Sequence, residues 1–408
     1  MPRQQDPSPG SFRELSLDDL EGIVGGVKKS ESQQSQSQGQ QEEAAYDASW
    51  LLHVDALSQA QVSAIPLAEF GKLTGDQLAT FSALQLHDVT GAQLNTLSES
   101  QLHSIGTDIS GVSASALSSI VHFSYLTDQQ LGALTSTQVA AVTAVQVDTM
   151  SAGQVNALGA HIADLSSLAL ASLDATQIAG ASLSSLGSQQ LGALTSTQLG
   201  GVTSTQISAL NAAQVGYLGT DISGLSQSAL GALTSPQMGG VTSNQIGALS
   251  AAQVGYLGTD ISGLSSAALG ALTSTQIGGL GTDQVSALSA AQVGYLGTDI
   301  AGMSQAGLEA LSATQIGALT SSQVGALSAA QVGYLGTDIS GLSQSAVGAL
   351  TALQVDAMSA RQITALGDGL ADMGTQALAS LDALQIAGAS LSALSSQQLG
   401  ALTATQLG

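Results

Sequence analysis

No cysteine occurs among the 408 residues of this chain. Disulfide bonds and metal sites with thiolate ligands are therefore excluded. Charged residues are also scarce, at 9% of the chain, and aromatic residues are scarcer still, at 3%. The hydrophobic fraction is nevertheless 44%, far above that of a disordered chain, and so we expect a packed core.

Basic side chains are the rarest of the charged groups. Six Lys and Arg residues stand against 29 Asp and Glu residues, which gives a formal net charge of −23. Nucleic-acid binding and attraction to anionic membrane surfaces both need a cationic surface, so we expect neither. No apolar run approaches the roughly 20 residues that span a bilayer, and we expect no membrane insertion.

A short motif near the N-terminus differs from the rest of the chain. Residues 15–26 read LSLDDLEGIVGG, in which spaced Leu and Ile residues give a short helix one apolar face and two glycines follow it. The motif resembles the double-glycine leader of bacteriocins and related peptides, whose pattern is L-S-x-x-E-L-x-x-I-x-G-G. Asp19 stands where that family usually has Glu. The matching residues are Leu15, Ser16, Leu20, Ile23, Gly25 and Gly26.

This resemblance implies an export route. In that family a peptidase-containing ABC transporter binds the apolar face, here Leu15, Leu20 and Ile23, and cuts after the second glycine. The processing residues are then Gly25 and Gly26, because a narrow cleft admits backbone that carries no side chain. The resemblance thus implies an extracellular or cell-surface bacterial protein. The alternative is an amphipathic N-terminal helix that ends at a glycine cap.

Composition and repetition divide the chain into four segments. Residues 1–26 form the predicted leader, and residues 27–45 are rich in Gln and Ser, as in a disordered linker. From Val54 onward, aliphatic residues recur every eight positions, with a second series three positions later. This octad repeat is divergent in 46–130 and regular in 131–408, a pattern typical of a repeat array rather than a compact domain.

Each octad carries the signals of a helix start. In the unit LGALTSTQ, Thr195 is the predicted N-cap, and Gln198 at the third helical position completes a Ser/Thr-x-x-Gln capping box. Leu194 and Leu199 then flank the helix start as a hydrophobic staple. The next N-cap, Thr203, follows only eight residues later, so each predicted helix lasts under two turns.

The fold class predicted from this pattern is an all-α solenoid of very short helices. A continuous helix is excluded because eight residues advance by about 800°, which leaves a drift of about 80° per octad. Pro236 and Pro66 fall at the second helical position and at an N-cap, where a missing N–H is harmless. A β-solenoid is the alternative, but apolar spacings of three and five and the dominance of Ala, Leu and Gln favour helices.

A longer period overlies the octads. Tyr217, Tyr256, Tyr295 and Tyr334 recur every 39 residues, one fewer than five octads, and a Gly-Thr-Asp step follows each of them. The loss of one residue predicts a periodic bend or a register correction at that point. Packing beneath the bend is the favoured interpretation of the tyrosines, and an interaction ladder for a surface glycan or for self-association is the alternative.

Few residues suggest chemistry. His87 and His103 share one octad position and could face each other on adjacent turns, as a haem or metal site requires, although solvated surface residues are the favoured interpretation. The Gly-Thr-Asp steps lack the calcium-binding nonapeptide, and no nucleophile motif accompanies a histidine. We therefore predict no enzyme activity, no metal site and no cofactor.

The body of the chain resembles the Ala/Leu/Thr/Gln octapeptide arrays of large bacterial surface and adhesin-like proteins. We expect a secreted or surface-displayed structural repeat protein, such as an adhesin stalk, a biofilm-matrix component or a self-assembling filament. The alternatives are an extracellular solenoid that binds a glycan or haem, and a bacteriocin-like secreted toxin. Residues 170–200 recur at 378–408, and the repeat reaches Gly408 without a polar capping unit. Either Gly408 is an artificial boundary, or an open end serves assembly.

Overall fold

The computed structural model describes residues 53–407 of the chain, which form two compact units. The first unit comprises the described residues up to Met150 together with Asp164–Ser166, and the second comprises Ser151–Ala163 and the residues from Ser167 onward. The predicted leader and linker lie outside the described residues, and so do the five leader positions Leu15, Leu20, Ile23, Gly25 and Gly26. The change in repeat regularity after residue 130 stays a prediction.

Short helices are the only regular elements in the described range. The α-helices of the first unit are Gln59–Ser63, Leu67–Phe70, Gly75–Leu78, Ala83–Leu86, Gly91–Leu94, Glu99–Ser104, Ala114–Ser118, Asp128–Gly132, Ser136–Ala140 and Ala144–Asp148. Its 3₁₀ helices are Val54–Ala56, Gly106–Gly111 and Phe123–Tyr125.

The second unit continues the same pattern. Its α-helices are Ala152–Ala157, Ser167–Ala171, Ala175–Gly180, Ser188–Gly192, Ser196–Leu199, Ser204–Ala209, Ala212–Tyr217, Gln227–Leu230, Ser235–Met238, Ser243–Ala248, Ala251–Tyr256, Ser266–Leu269, Ser274–Ile277, Thr282–Ala287, Ala290–Tyr295, Gln305–Glu309, Ala313–Gly317, Ser321–Ala326, Ala329–Tyr334, Gln344–Val347, Ala352–Asp356, Ala360–Leu366, Thr375–Leu378, Ala383–Ala387, Ser396–Leu399 and Ala404–Leu407. The 3₁₀ helices that follow Met150 are Gly159–Asp164, Leu183–Ser185, Ile222–Gly224, Gly258–Gly263, Gly297–Gly302, Gly336–Gly341, Gly367–Asp372 and Leu391–Ala393.

The capping box starts each helix where the sequence predicts it. The Gln198 side chain accepts a hydrogen bond from the Thr195 N–H at 3.0 Å, and the Thr195 hydroxyl accepts one from the Gln198 N–H at 3.3 Å. The next N-cap, Thr203, has extended dihedral angles of φ −88° and ψ 159°, which stop one helix and redirect the chain before the next. Pro236 occupies the second helical position and Pro66 an N-cap, so both proline predictions are confirmed.

The two aliphatic series of each octad form the core. Leu199 at the fourth helical position is fully buried, and the staple residue Leu194 is 7% exposed. One octad therefore buries only about two large side chains while it orders eight residues, and so it depends on its neighbours for stability.

Three octads make one turn in each unit. In the second unit, helix Ala212–Tyr217 contacts Ser235–Met238, three repeats further along the chain. In the first unit, Gly75–Leu78 contacts Glu99–Ser104 at the same interval. A turn thus takes 24 residues, as from Leu78 to Leu102, or fewer when it contains a shortened repeat, with 23 from Val215 to Met238 and 21 from Ile178 to Leu199. The all-α solenoid prediction is confirmed, and the β-solenoid alternative is excluded for the described range.

Shortened repeats keep their place in the stack through one glycine. Gly258 has a φ of +57°, which L-residues with a side chain rarely adopt, and a 3₁₀ helix, Gly258–Gly263, starts there. Ile261 stays fully buried in the same series as the octad residues before and after it. The glycines with positive φ are Gly106, Gly159, Gly219, Gly258, Gly297, Gly336 and Gly367.

Glycines at the helix ends allow successive turns to approach closely. A Cβ atom on Gly240 would overlap the backbone carbonyl of Ala212 on the neighbouring turn, and Gly263 meets Ser235 in the same way. Because the obstacle is backbone, it has little freedom to move away. These positions therefore set the distance between turns.

We predict that Gly240→Ala destabilises the fold while Gly247→Ala does not. Gly247 lies inside helix Ser243–Ala248, has no atom within 4 Å of its Cβ direction, and gains helix propensity on substitution. Overpacking at Gly240 should cost about 1–3 kcal/mol or more. Chemical denaturation followed by circular dichroism measures both variants, and equal midpoints would contradict the close-approach role of Gly240.

Candidate functional site

The most distinctive chemical feature of the structure is a buried glutamine between successive turns. Gln276 is 4% exposed, and its side-chain oxygen accepts a hydrogen bond from the N–H of its own N-cap, Thr273, at 2.9 Å. Its amide NH₂ donates to the carbonyl oxygens of Ile246 at 2.8 Å and Leu249 at 2.6 Å, both on the preceding turn. One amide group therefore caps its own helix and binds the turn beneath it.

This arrangement recurs along both units. Gln93 of the first unit donates to the carbonyls of Val62 and Ile65, and Gln354 of the second donates to Val324 and Leu327. No buried side-chain N or O atom in the described range lacks a hydrogen-bond partner. The buried glutamines are Gln61, Gln85, Gln93, Gln130, Gln138, Gln146, Gln154, Gln177, Gln198, Gln237, Gln245, Gln276, Gln284, Gln315, Gln323, Gln354, Gln362, Gln385, Gln398 and Gln406.

We predict that Gln276→Glu lowers stability at neutral pH more than Gln227→Glu does. Glu keeps the acceptor for the Thr273 N–H but turns a carboxylate oxygen toward two carbonyl oxygens, at a cost of about 1–3 kcal/mol for each buried group left unpaired. Gln227 is exposed and is the control. Thermal unfolding at pH 7 and pH 4 should show partial recovery at the lower pH, because a protonated Glu can donate one of the lost bonds. An equal loss of stability in both variants would contradict the stacking role of the Gln276 amide.

The Gly-Thr-Asp steps bind the neighbouring turn through their carboxylates. Asp260 accepts hydrogen bonds from the Ser235 N–H at 2.6 Å and the Ser235 hydroxyl at 2.7 Å, and Asp299 binds Ser274 in the same way. Ser235 and Ser274 are each the first residue of a helix, whose free N–H groups favour a negative charge. These aspartates therefore act between turns as helix caps.

Asp221 follows this pattern with an additional local contact. It accepts hydrogen bonds from the hydroxyl of Ser223 and from the Ser196 hydroxyl at 2.8 Å. Hydrogen bonds from the Ser223 hydroxyl, the Ser196 hydroxyl and the Ser223 N–H, in that order, lower the pKa of Asp221 below its ordinary value of 3.8. In the fourth copy, Ala313 replaces the serine, and the Asp338 carboxylate accepts no hydrogen bond from another described residue.

We predict that Asp221→Ala destabilises the chain near neutral pH and that the effect fades in acid. A carboxyl group with a lowered pKa in the folded state contributes stability above its unfolded pKa, and this contribution is lost as the pH falls through the folded pKa. The denaturation midpoints of wild type and variant should thus converge below about pH 3.8. Asp338→Ala is the matched control and should change little at any pH. A midpoint difference that is independent of pH would contradict the role of the charge.

The structure distributes the four predicted tyrosines over three sides of the second unit. Five repeats separate consecutive tyrosines, whereas three repeats complete a turn, so Tyr217, Tyr256 and Tyr295 fall on three successive sides. Tyr334 returns to the side of Tyr217 five turns later. The structure therefore does not bring consecutive tyrosines together in a single row, and an interaction role for them stays a prediction.

The two histidines considered for haem or metal do not face each other. His87 and His103 are two repeats apart, and helices stack at an interval of three repeats. His87 lies 2.7 Å from the Asp88 carboxylate, and His103 lies 2.8 Å from the Tyr125 carbonyl oxygen. The expectation of facing histidines is wrong because it assumed that adjacent turns are sixteen residues apart.

Residues 53–407 contain neither a metal-binding cluster nor a membrane-spanning helix. The range contains no group of three His, Asp or Glu side chains that could hold a metal ion. Its helices are all too short or too polar to cross a membrane.

Comparison with known proteins gives one family match. The ALTTAQ repeat model matches residues 259–290 and 300–337, which lie in the second unit. Read as a peptide, ALTTAQ contains the staple Leu, the N-cap Thr and the Gln at the third helical position, and the segments 271–276 and 318–323 read ALTSTQ and ALTSSQ. Over these two segments the chain is similar to that family. A search of curated proteins finds no match to the chain.

Proposed function

We propose that the chain is a secreted or surface-displayed bacterial structural repeat protein that reaches the cell exterior through a peptidase-containing ABC transporter. The observation that carries this proposal is the glutamine hydrogen bonding between turns. It repeats in both units, and no buried side-chain N or O atom of the described range is left without a hydrogen-bond partner. Such a stack can gain turns without any new kind of contact, as an extracellular spacer or matrix component requires.

The surface of the chain is consistent with this role. A charge of −23 with six basic residues favours solubility at high local concentration and disfavours adsorption to nucleic acid or anionic lipid. The leader-like residues 15–26 supply the route out of the cell by resemblance. The choice among adhesin stalk, biofilm matrix and filament rests on the repeat architecture and is part of the proposal.

We predict that protein recovered from culture supernatant begins at Val27. Cleavage after Gly26 would remove residues 1–26, so intact mass and N-terminal sequencing test the route directly. A variant with Gly25→Val and Gly26→Val should stay inside the cell at full length, since the side chains block the narrow cleft. Gly39→Val in the linker is the control and should be exported.

Two results would contradict the proposal at different points. Full-length protein found only inside the cell would exclude the export route and reduce residues 15–26 to an N-terminal helix. The second result is exported protein that binds no surface and stays a monodisperse monomer at high concentration in analytical ultracentrifugation. It would exclude the assembly role and leave the export route intact.

A further inference from the structure

An open groove lies beside Tyr256 on the surface of the second unit. Tyr256 ends helix Ala251–Tyr256, and its side chain is 37% exposed. The groove has a volume of about 550 Å³, and its other lining residues, on the preceding turn, are Ser226, Gln227, Ser228 and Gly231. The lining thus combines one aromatic ring, two hydroxyls and one amide, and it contains no charged side chain.

The close approach of a glycine on the preceding turn recurs at two further tyrosines. A Cβ atom on Gly231 would lie 3.4 Å from the Tyr256 carbonyl oxygen, and Gly270 has the same distance to the Tyr295 carbonyl. Gly192 stands equally close to the carbonyl of Tyr217. The side chains of Tyr217 and Tyr295 are 45% and 48% exposed, more than that of Tyr256. The backbone of each of these three tyrosines therefore lies close to a glycine of the preceding turn.

The fourth tyrosine departs from this pattern. Glu309 occupies the position that is glycine in the other three copies, and the Gln305 amide donates to its carboxylate at 2.8 Å. Tyr334 is half-buried rather than exposed. Of these four tyrosines, three thus lie beside a glycine and the fourth lies beside a hydrogen-bonded pair of side chains.

We propose that Tyr217, Tyr256 and Tyr295 each form a binding site for one sugar ring of a neutral glycan. A pyranose ring has an apolar C–H face that packs on an aromatic ring, and its hydroxyls pair with serine hydroxyls and glutamine amides. The absence of charge in the Tyr256 groove matches a neutral ligand, and the acidic chain disfavours an anionic one. This binding is a property of the folded chain and does not depend on the export route.

The geometry also fixes how the three sites can be used. Since they fall on three successive sides of the stack, one straight glycan cannot lie across two consecutive sites. Separate glycan chains must occupy them. A single molecule would thereby join several polysaccharide chains, and its avidity would depend on their local concentration.

The binding test uses the purified full chain with cellohexaose, maltohexaose and chitohexaose in isothermal titration calorimetry. We expect at least one of them to bind at about three sites, and each of Tyr217→Ala, Tyr256→Ala and Tyr295→Ala to remove one site. The triple variant should lose affinity about tenfold or more. Tyr334→Ala is the matched control and should leave binding unchanged. Gly231→Glu should close the groove beside Tyr256 while it keeps the tyrosine, because Gln227 can then pair with the new carboxylate as Gln305 does with Glu309 in the fourth copy.

Three outcomes would overturn the proposal. The first is that none of the three oligosaccharides binds at millimolar concentration. The second is that the triple variant, with an unchanged circular dichroism spectrum and denaturation midpoint, binds as wild type does. The third is that the tyrosine substitutions abolish self-association in sedimentation experiments instead of sugar binding, which would make these surfaces contacts between copies of the chain.

The cross-linking arm mixes the chain with a soluble polysaccharide of the sugar type that binds. Wild type should produce turbidity, and a double variant that retains only Tyr256 should bind the polymer without turbidity. Equal turbidity from the double variant would show that something other than the three-sided arrangement joins the chains.

Discussion

The fold depends on one amide group used twice. In each turn a glutamine side chain gives its oxygen to the start of its own helix and its NH₂ to the carbonyls of the turn below, as Gln276 does between Thr273 and the pair Ile246 and Leu249. A helix of four to six residues has hardly any internal hydrogen bonds, because its first N–H groups and last carbonyls lack partners within the helix. The glutamine supplies partners at both kinds of end, so the local and the stacking interactions form together.

Local structure followed directly from the sequence. The N-cap at Thr195, the box at Gln198 and the tolerated Pro236 involve contacts within four residues, which the order of residues determines. The interval of three repeats per turn depends on the angle between consecutive helices and was not predicted. The expectation that His87 and His103 face each other was wrong for that reason. The sequence did contain a signal for the stacking. A capping box accepts Glu as readily as Gln at the third helical position, yet Glu is rare there, and Glu69 is an exception. Only an amide can also donate.

The surface was harder to predict than the core. The surroundings of each tyrosine include a residue 25 positions earlier, which is glycine before Tyr256 and Glu309 before Tyr334. The Gly-Thr-Asp steps have the same dependence, since Asp260 meets Ser235 whereas Asp338 meets Ala313. Both pairings become visible only when the length of a turn is known. The five-repeat sequence period and the three-repeat turn then explain why features that recur evenly in sequence are distributed around the stack.

The three-repeat turn has a consequence for how such a chain changes length. When recombination adds or removes one octad, each octad still stacks on a similar octad. All surface features beyond that point, however, rotate by a third of a turn around the stack. Only changes in multiples of three repeats preserve the order of the faces. The segment 170–200 and its copy at 378–408 obey this rule, because the buried residues from Leu170 to Leu378 advance by 27 repeats, which is nine whole turns. Large duplications can therefore lengthen the chain while every face stays aligned. The gain or loss of a single octad instead moves the surface features beyond it to a different face.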